Sequence, residues 1–355
     1  MKNSILFIVP YPYNTAPSQR LKFEQYYASF QQKGYTITQT PFMDDKLWNI
    51  VYKRNYLFLK AWYTILAYGK RYLLLFKIHK FDIVYIHLWG TPFGLPIYEW
   101  LLRKHSKKII YDIDDLIYKG ASSPNNKFMR IFKSGSKVNF LMKYADNVLV
   151  STDKLLEYAK GLTTKISVIP ATIDVNKYID HNKKESDVVV IGWSGSHTTS
   201  KYLHLLDNVL KEISSKHNIK IMVMGDTSFY IKGLNIQLIE WTENTEVNSL
   251  MQFDIGIHPL PDEEWVYGKS GGKLVQYMAA GIPIVASAIG PNFKVIKNGY
   301  NGFLVNDEKD WIDKLDLLVT DSTLRKTMGN NSRKNAVDFY SVEANLAKYL
   351  KAFDC

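Results

Sequence analysis

Between residues 255 and 287 the sequence crowds glycines and lysines around the start of a helical stretch: Gly268, Lys269, Ser270, Gly271, Gly272 and Lys273. Glycine lets a backbone come close to a ligand. A helix start offers free N–H groups and a partial positive charge. With Lys269 and Lys273 bracketing them, these features suit a diphosphate; a glycine-rich turn with solvated lysines would use the same residues. A second candidate follows a strand at 188–191. There Gly192, Gly195 and Ser196 are placed to supply backbone donors and Lys201 a charge. It fits neither the G-x-G-x-x-G nor the P-loop pattern, so neither is assigned.

Carboxylates cluster in Asp112-Ile113-Asp114-Asp115, just after an apolar run at 108–111. Any one of Asp112, Asp114 and Asp115 is a candidate acceptor for a substrate hydroxyl, and a base there must come within about 3 Å of its proton. The same residues also suit a helix cap. An Asp-x-Asp pair can hold Mg²⁺ or Mn²⁺ through oxygen. This one lies far in sequence from the phosphate loops, and no metal is expected. Arg20 and His87 follow the first and a later strand, where an arginine suits an anion and a histidine is more often structural. Trp241 follows another strand and offers a base a stacking face, or simply a buried ring.

These residues need elements to hold them. Short apolar runs at 5–9, 83–86, 108–111, 148–150 and 166–169 read as buried parallel strands. Residues 18–32 read as one helix ending at Gly34. A polar stretch at 176–187 suits a linker. The alternation then restarts, with strands expected at 188–191, 219–224, 234–239, 255–258, 283–286 and 302–305. Helices are expected at 201–213, 245–252 and 272–280, and three more close the chain, the last over 341–353. Strand–helix alternation implies parallel sheets with right-handed crossovers, whose ligands sit beyond the carboxyl ends of the strands. The fold expected is α/β: two Rossmann-like parallel-sheet domains facing across a cleft. The domains run 1–180 and 181–355, with the last helix packing back on the first.

A chain of 355 residues, 46% hydrophobic and 22% charged, is too long for one ordinary core and too apolar for a disordered chain. The one cysteine, Cys355, excludes a disulfide framework or a cysteine zinc site. No apolar run is long enough to span a bilayer, and the opening run is too short for a secretory signal; the expected location is the cytoplasm. Residues 1–180 hold 26 Lys+Arg against 13 Asp+Glu, so the basic excess lies wholly in the first half. Within it, residues 51–80 carry seven Lys/Arg, no Asp or Glu, and eight aromatics. The lysines do not share one stripe, and a break into two helices near Gly69 is expected. Solvated lysines around a covering helix would account for this segment. An anionic membrane surface would too, since each basic residue near such a leaflet contributes about 1 kcal/mol and Trp and Tyr prefer the headgroup zone. No nucleic-acid-binding pattern is present, and no nucleic acid partner is expected.

Tyr277-Met-Ala-Ala-Gly-Ile-Pro-Ile-Val-Ala-Ser287 resembles the segment just after the E-x7-E region of family 4 glycosyltransferases, which have the two-domain GT-B fold. Gly256-Ile-His-Pro-Leu260, Trp265, Gly268-Lys-Ser270, Lys273 and Gln276-Tyr-Met-Ala279 are similar to one branch of that family. So are Gly192-Trp-Ser-Gly-Ser196, Tyr111-Asp-Ile-Asp-Asp115 and Ile169-Pro-Ala-Thr-Ile-Asp174, and the matches run in order over most of the chain. The resemblance implies a retaining glycosyltransferase that takes a sugar from a nucleotide-diphosphate donor to an acceptor hydroxyl in polysaccharide or lipid-linked glycan assembly. It implies a donor-binding second domain, an acceptor-binding first domain and no required cofactor or metal. On this reading Gly195, Ser196, Lys201, Trp241, Lys269, Ser270, Gly271, Gly272, Lys273 and Gln276 meet the donor. Asp112, Asp114 or Asp115 serves catalysis, and Arg20 and His87 edge the cleft. The acceptor is a glycan or a lipid-linked glycan, and the protein docks peripherally on the inner face of the membrane through 51–80. Four departures stand out. Gly268 and Gln276 occupy the two glutamate positions, Trp193 stands where the family has an arginine, Lys201 lies later than the family's lysine, and no histidine accompanies the aspartates at 112–115. A two-domain nucleotide-sugar epimerase, or a catalytically silent nucleotide-sugar-binding partner, is the alternative.

Overall fold

The computed structural model describes residues 3–53, 55–114, 116–117, 135–178 and 188–354. Asp115 lies outside them. The chain divides into two compact units, Met1–Pro170 with Asn345–Cys355, and Ala171–Ala344. Among the described residues each unit has a six-stranded, all-parallel sheet.

In the first unit the strands are β1 (Ser4–Val9), β2 (Thr36–Pro41), β3 (Ile83–His87), β4 (Ile109–Ile113), β5 (Asn147–Val150) and β6 (Ile166–Val168), in the order β2-β1-β3-β4-β5-β6. β1, β3, β4 and β5 are buried along nearly their whole length, as continuous apolar runs in a doubly covered sheet must be. β2 is not legible in the sequence: Thr-Ile-Thr-Gln-Thr-Pro is a polar edge strand with Thr36, Thr38 and Pro41 exposed and no residue fully buried. The expected helix over 18–32 is three pieces: Pro17–Arg20, a 3-10 turn at Glu24–Tyr26 and Tyr27–Gln32. The first piece closes at Leu21, and the Gln19 side chain inside it is bonded to Tyr11 and Glu24. Residues 57–75 form one continuous helix, Leu57–Leu75, with Gly69 inside it. The expected break is absent, since a single exposed glycine costs a helix only about 1 kcal/mol.

The second unit contains β7 (Val189–Ser194), β8 (Ile219–Met224), β9 (Ile236–Ile239), β10 (Ile255–His258), β11 (Ile284–Ser287) and β12 (Gly302–Val305), ordered β12-β11-β10-β7-β8-β9. Its core gathers Ile191, Trp193, Val223, Ile257, Val285 and Leu315. The chain closes with helices Glu308–Thr320, Ser322–Asn335 and Val342–Asp354. From Asn345 onward the last helix belongs to the first unit. There Tyr349 and Phe353 pack on Tyr26, Phe30 and Tyr85. Among the described residues no helix is long and apolar enough to cross a membrane.

The order in which strands are added reverses once in each sheet, between β1 and β3 in the first unit and between β7 and β10 in the second. A parallel sheet opens a crevice at such a reversal, outside the carboxyl ends of the strands.

Candidate donor and acceptor sites

In the second unit the reversal lies between the ends of β7 and β10, and Lys273 reaches it from the first turn of the helix Gly272–Ala279. The helix begins at Gly271, whose φ of 75° a side chain rarely adopts, and no side chain caps it. Its first-turn N–H groups therefore have no partner within the helix. A Cβ built on Gly272 would meet nothing, so the space before that turn is open. The Lys273 ammonium lies 4.7 Å from the centre of the Trp193 ring and 3.3 Å from Thr199 Oγ1. Burial, and then the charge of Lys269, lower its pKa to about 8. Behind it the His258 imidazole is pushed down to about 3, by burial first and Lys273 second. It is neutral at working pH and does not compete for an anion.

Gly195 does something other than expected. Its N–H donates to the Met224 carbonyl, and the Ser196 N–H donates to Thr199 Oγ1. Both amides are spent, which corrects the expectation that they supply donors; Gly192 is inside β7 with its Cβ position filled by the Phe253 ring. The reason for Gly195 is space. A Cβ there would stand 2.5 Å from Lys273 Nζ and 2.3 Å from the Trp193 ring. Trp193, at the place where the resemblance would put an arginine, is the buried shelf under the lysine.

Lys201 and Lys269 come to one array. Lys201 Nζ lies 4.9 Å from the Tyr202 ring, Tyr202 packs on Trp265 at 5.3 Å, and Lys269 Nζ is 6.0 Å from Trp265. Ser270, half-buried, links Lys269 to the open turn. Gln276 is buried and donates to Glu246 Oε1 at 3.0 Å, and the Trp241 indole N–H donates to the same oxygen at 2.9 Å. Glu246 thus gathers Trp241 and Gln276 at one place, a role that sequence reading missed. Its signal was the pair of glutamates in the first turn after the Thr242 cap. Tyr277 explains why its segment is so distinctive. Its hydroxyl accepts from the Ser194 N–H at 2.8 Å, and its ring fills the space where Gly256 lacks a Cβ. The motif holds the helix to the end of β7.

In the first unit Asp112 and His87 are opposite each other in the β3–β4 register. The His87 Nδ1–H donates to Asp112 at 2.9 Å, and Lys22 pairs with the other carboxylate oxygen at 2.5 Å. Burial alone would raise the Asp112 pKa, but Lys22 and His87 outweigh it and hold the carboxyl below its ordinary value. Asp112 is fully buried, and so is His87. Neither presents surface to a substrate hydroxyl, which corrects the reading of His87 as a cleft-edge contact and of Asp112 as an exposed acceptor. Asp114 is half-buried, so of the two described aspartates it is the one with surface exposed. Arg20 is nearly buried in the short helix Pro17–Arg20 that follows the β1 loop. The loop after β3 is clamped by Glu99, which accepts from the Thr91 N–H and hydroxyl, and by Lys137, which donates to the Thr91 and Phe93 carbonyls.

No group of three His, Cys, Asp or Glu in metal-holding geometry occurs among the described residues.

Residues 187–321 match the family model described as glycosyl transferases group 1. The chain is 25% identical over 208 residues to the capsular polysaccharide biosynthesis glycosyltransferase CapM of Staphylococcus aureus, covering 54% of this chain and 53% of that one. It thus spans about half the length of that curated relative. A glycosyltransferase from Rickettsia africae superposes with a TM-score of 0.72 at 17% identity, over 99% of this chain and 98% of that one. Anabaena HepE, solved with UDP-glucose, superposes with a TM-score of 0.68 at 15% identity, over 99% and 100%. The two parallel sheets with these neighbours make the fold GT-B. By domain and by fold, then, residues 187–321 match a glycosyl transferases group 1 domain within a chain of GT-B fold.

Proposed function

We propose that the chain is a family 4, retaining glycosyltransferase that moves a sugar from a nucleoside-diphosphate donor to an acceptor hydroxyl in polysaccharide or lipid-linked glycan assembly. The observation that carries this reading is the half-buried Lys273 ammonium at the β7–β10 reversal, beside the uncapped first turn of Gly272–Ala279. A lysine lowered to about 8 by burial is costly to keep charged, and an anion opposite it recovers that cost. During transfer the bond between the anomeric carbon and the phosphate oxygen breaks and its electron pair leaves with the diphosphate. The acceptor oxygen bonds the anomeric carbon and gives up its proton. Lys273, Lys269 and the helix amides stabilise the charge that develops on the leaving group, so this reading requires no metal or other cofactor. Trp241 and Gln276, both tied to Glu246, are the candidates to read the nucleoside. Asp114 is the candidate for the acceptor proton.

The relatives support the same chemistry: one is named for capsular polysaccharide synthesis and one was solved with UDP-glucose. The first unit, with its basic excess, takes the acceptor, and the protein works peripherally at the inner face of a membrane.

A thermal-shift panel of UDP-, GDP- and ADP-sugars tests the donor. A ligand at 100 times its Kd stabilises the native state by about 2.7 kcal/mol. One nucleotide sugar should raise the melting temperature, and Lys273→Met should abolish the rise. Turnover with a membrane lipid extract should then consume that donor. If no nucleotide sugar stabilises the protein, or sugars interconvert without an acceptor, the reading is wrong.

A further inference from the structure

The helix Leu57–Leu75 is inside out. Its buried face carries Arg71, which donates to the carbonyls of Val9 and Thr40 at 2.8 and 2.9 Å, and Ala67. Its outward face carries Phe58, Trp62, Ile65, Leu66 and Leu73, with Phe76 just past its end. At about 100° per residue these six fall within roughly a third of the circumference, and no charged side chain falls among them. Phe58 is 95% exposed, Phe76 77% and Ile65 63%. Soluble proteins do not leave so continuous an apolar stripe in water without a use. The surface continues sideways. Tyr72 meets Tyr98 of the neighbouring helix Ile97–His105 at 5.6 Å, and that helix exposes Ile97 and Trp100, with Lys104 over the Trp100 ring at 5.5 Å. The unpaired charges flanking the stripe are cations: Lys53, Lys77 and Lys80 are exposed, Lys70 pairs with Asp44 at 3.0 Å, and residues 51–80 themselves hold no carboxylate.

We propose that this face, the outward stripe of Leu57–Leu75 with Ile97 and Trp100 beside it, inserts into the headgroup–acyl boundary of an anionic lipid leaflet. An apolar stripe flanked by lysines, on a helix too polar to cross, is what an interfacial helix needs, and tryptophan and tyrosine suit that depth. A protein partner with an apolar patch would not need three flanking cations, and a second copy of this chain would bring like charges together. The corrected geometry also says what docking does. Arg71 ties the back of the helix to the carboxyl ends of β1 and β2, so the leaflet is brought to the ligand side of the first sheet, where a lipid-linked acceptor would be presented. The inference deepens the peripheral reading above but uses none of its donor chemistry.

Flotation with vesicles tests it. The full chain should float with phosphatidylglycerol-containing vesicles at low salt and far less with phosphatidylcholine alone. The triple substitution Phe58→Ser, Ile65→Ser, Phe76→Ser should lower the partition coefficient at least tenfold with the melting temperature unchanged, because all three side chains are in water already. Lys77→Gln with Lys80→Gln should lower it by roughly fivefold per charge. The nucleotide-sugar thermal shift should persist in every variant, which separates failure here from failure of the donor site. Absence of flotation at low salt overturns the proposal. So does flotation that the triple variant retains, or a dimer in light scattering that the triple variant dissolves while wild type ignores lipid.

Discussion

Two charges, the half-buried Lys273 and the buried Asp112, govern the residue scale, and they respond to pH in opposite senses. Lys273 has a folded pKa of about 8, below its ordinary 10.5. The fold therefore disfavours its charged form. That penalty is fully present below about pH 8 and relieved as pH rises toward the unfolded value. A diphosphate reverses the preference, because it needs the ammonium. Donor affinity should hold between pH 6 and 8 and decline above about pH 8, a trend that calorimetric titration across that range would reveal and that Lys273→Arg should displace upward. Asp112 is depressed below its ordinary value by Lys22 and His87. Its contribution to stability is present above the unfolded carboxylate pKa of about 4 and is lost as pH falls through the lower folded value. Asp112→Asn leaves Lys22 buried without its counter-charge and should cost about 3–5 kcal/mol in urea unfolding at pH 7. A loss of activity with stability intact would instead mark Asp112 as acting on substrate.

At the scale of elements, the loop after β3 is held by buried side chains from two helices, Ile97–His105 and Ser136–Tyr144. Glu99 and Lys137 clamp the loop after β3, and Lys137 is almost fully buried. Burial raises the Glu99 pKa and lowers that of Lys137, each opposed by the other's charge. Lys137→Met should destabilise the chain by about 3–5 kcal/mol, whereas Glu99→Gln with Lys137→Met should recover much of that loss; a denaturation series on the three proteins checks it. Such clamps were not legible. Lys137 read as one more lysine of a basic half, and only tertiary packing turned it inward. The same holds for Arg71, which reads as part of a charged segment yet is buried against Val9 and Thr40. By contrast the turn at 268–273 and the Tyr277 segment were legible, because glycine and aromatic positions there answer to local geometry: a left-handed Gly271 and a Tyr277 ring lodged against Gly256.

At the scale of the whole molecule, the chain returns at Asn345 to the unit it began with. Tyr349 and Phe353 are fully or nearly fully buried among Tyr26, Phe30 and Tyr85, and the Tyr349 hydroxyl donates to the Lys22 carbonyl. Cutting the chain after Ala344 should unfold the first unit selectively. Calorimetry should show its transition fall by ten degrees or more, on the order expected for losing several buried aromatics, while the second unit melts as before. A single unchanged transition would contradict that division.

Periodicity by itself determined that this is an α/β chain with two runs of parallel strands, since buried strands must be apolar along their length and the helices between them must alternate faces. It also located the lysine-flanked glycine turn, because φ, charge and helix polarity are local properties. Tertiary structure decided which polar groups remain available. The amides of Gly195 and Ser196 are consumed by Met224 and Thr199, Asp112 and His87 are consumed by each other, and the Leu57–Leu75 helix turns its arginine inward and its phenylalanines out. A hydrogen bond or a buried face is a relation between residues far apart in sequence, so the identity of one partner does not reveal whether it is already taken.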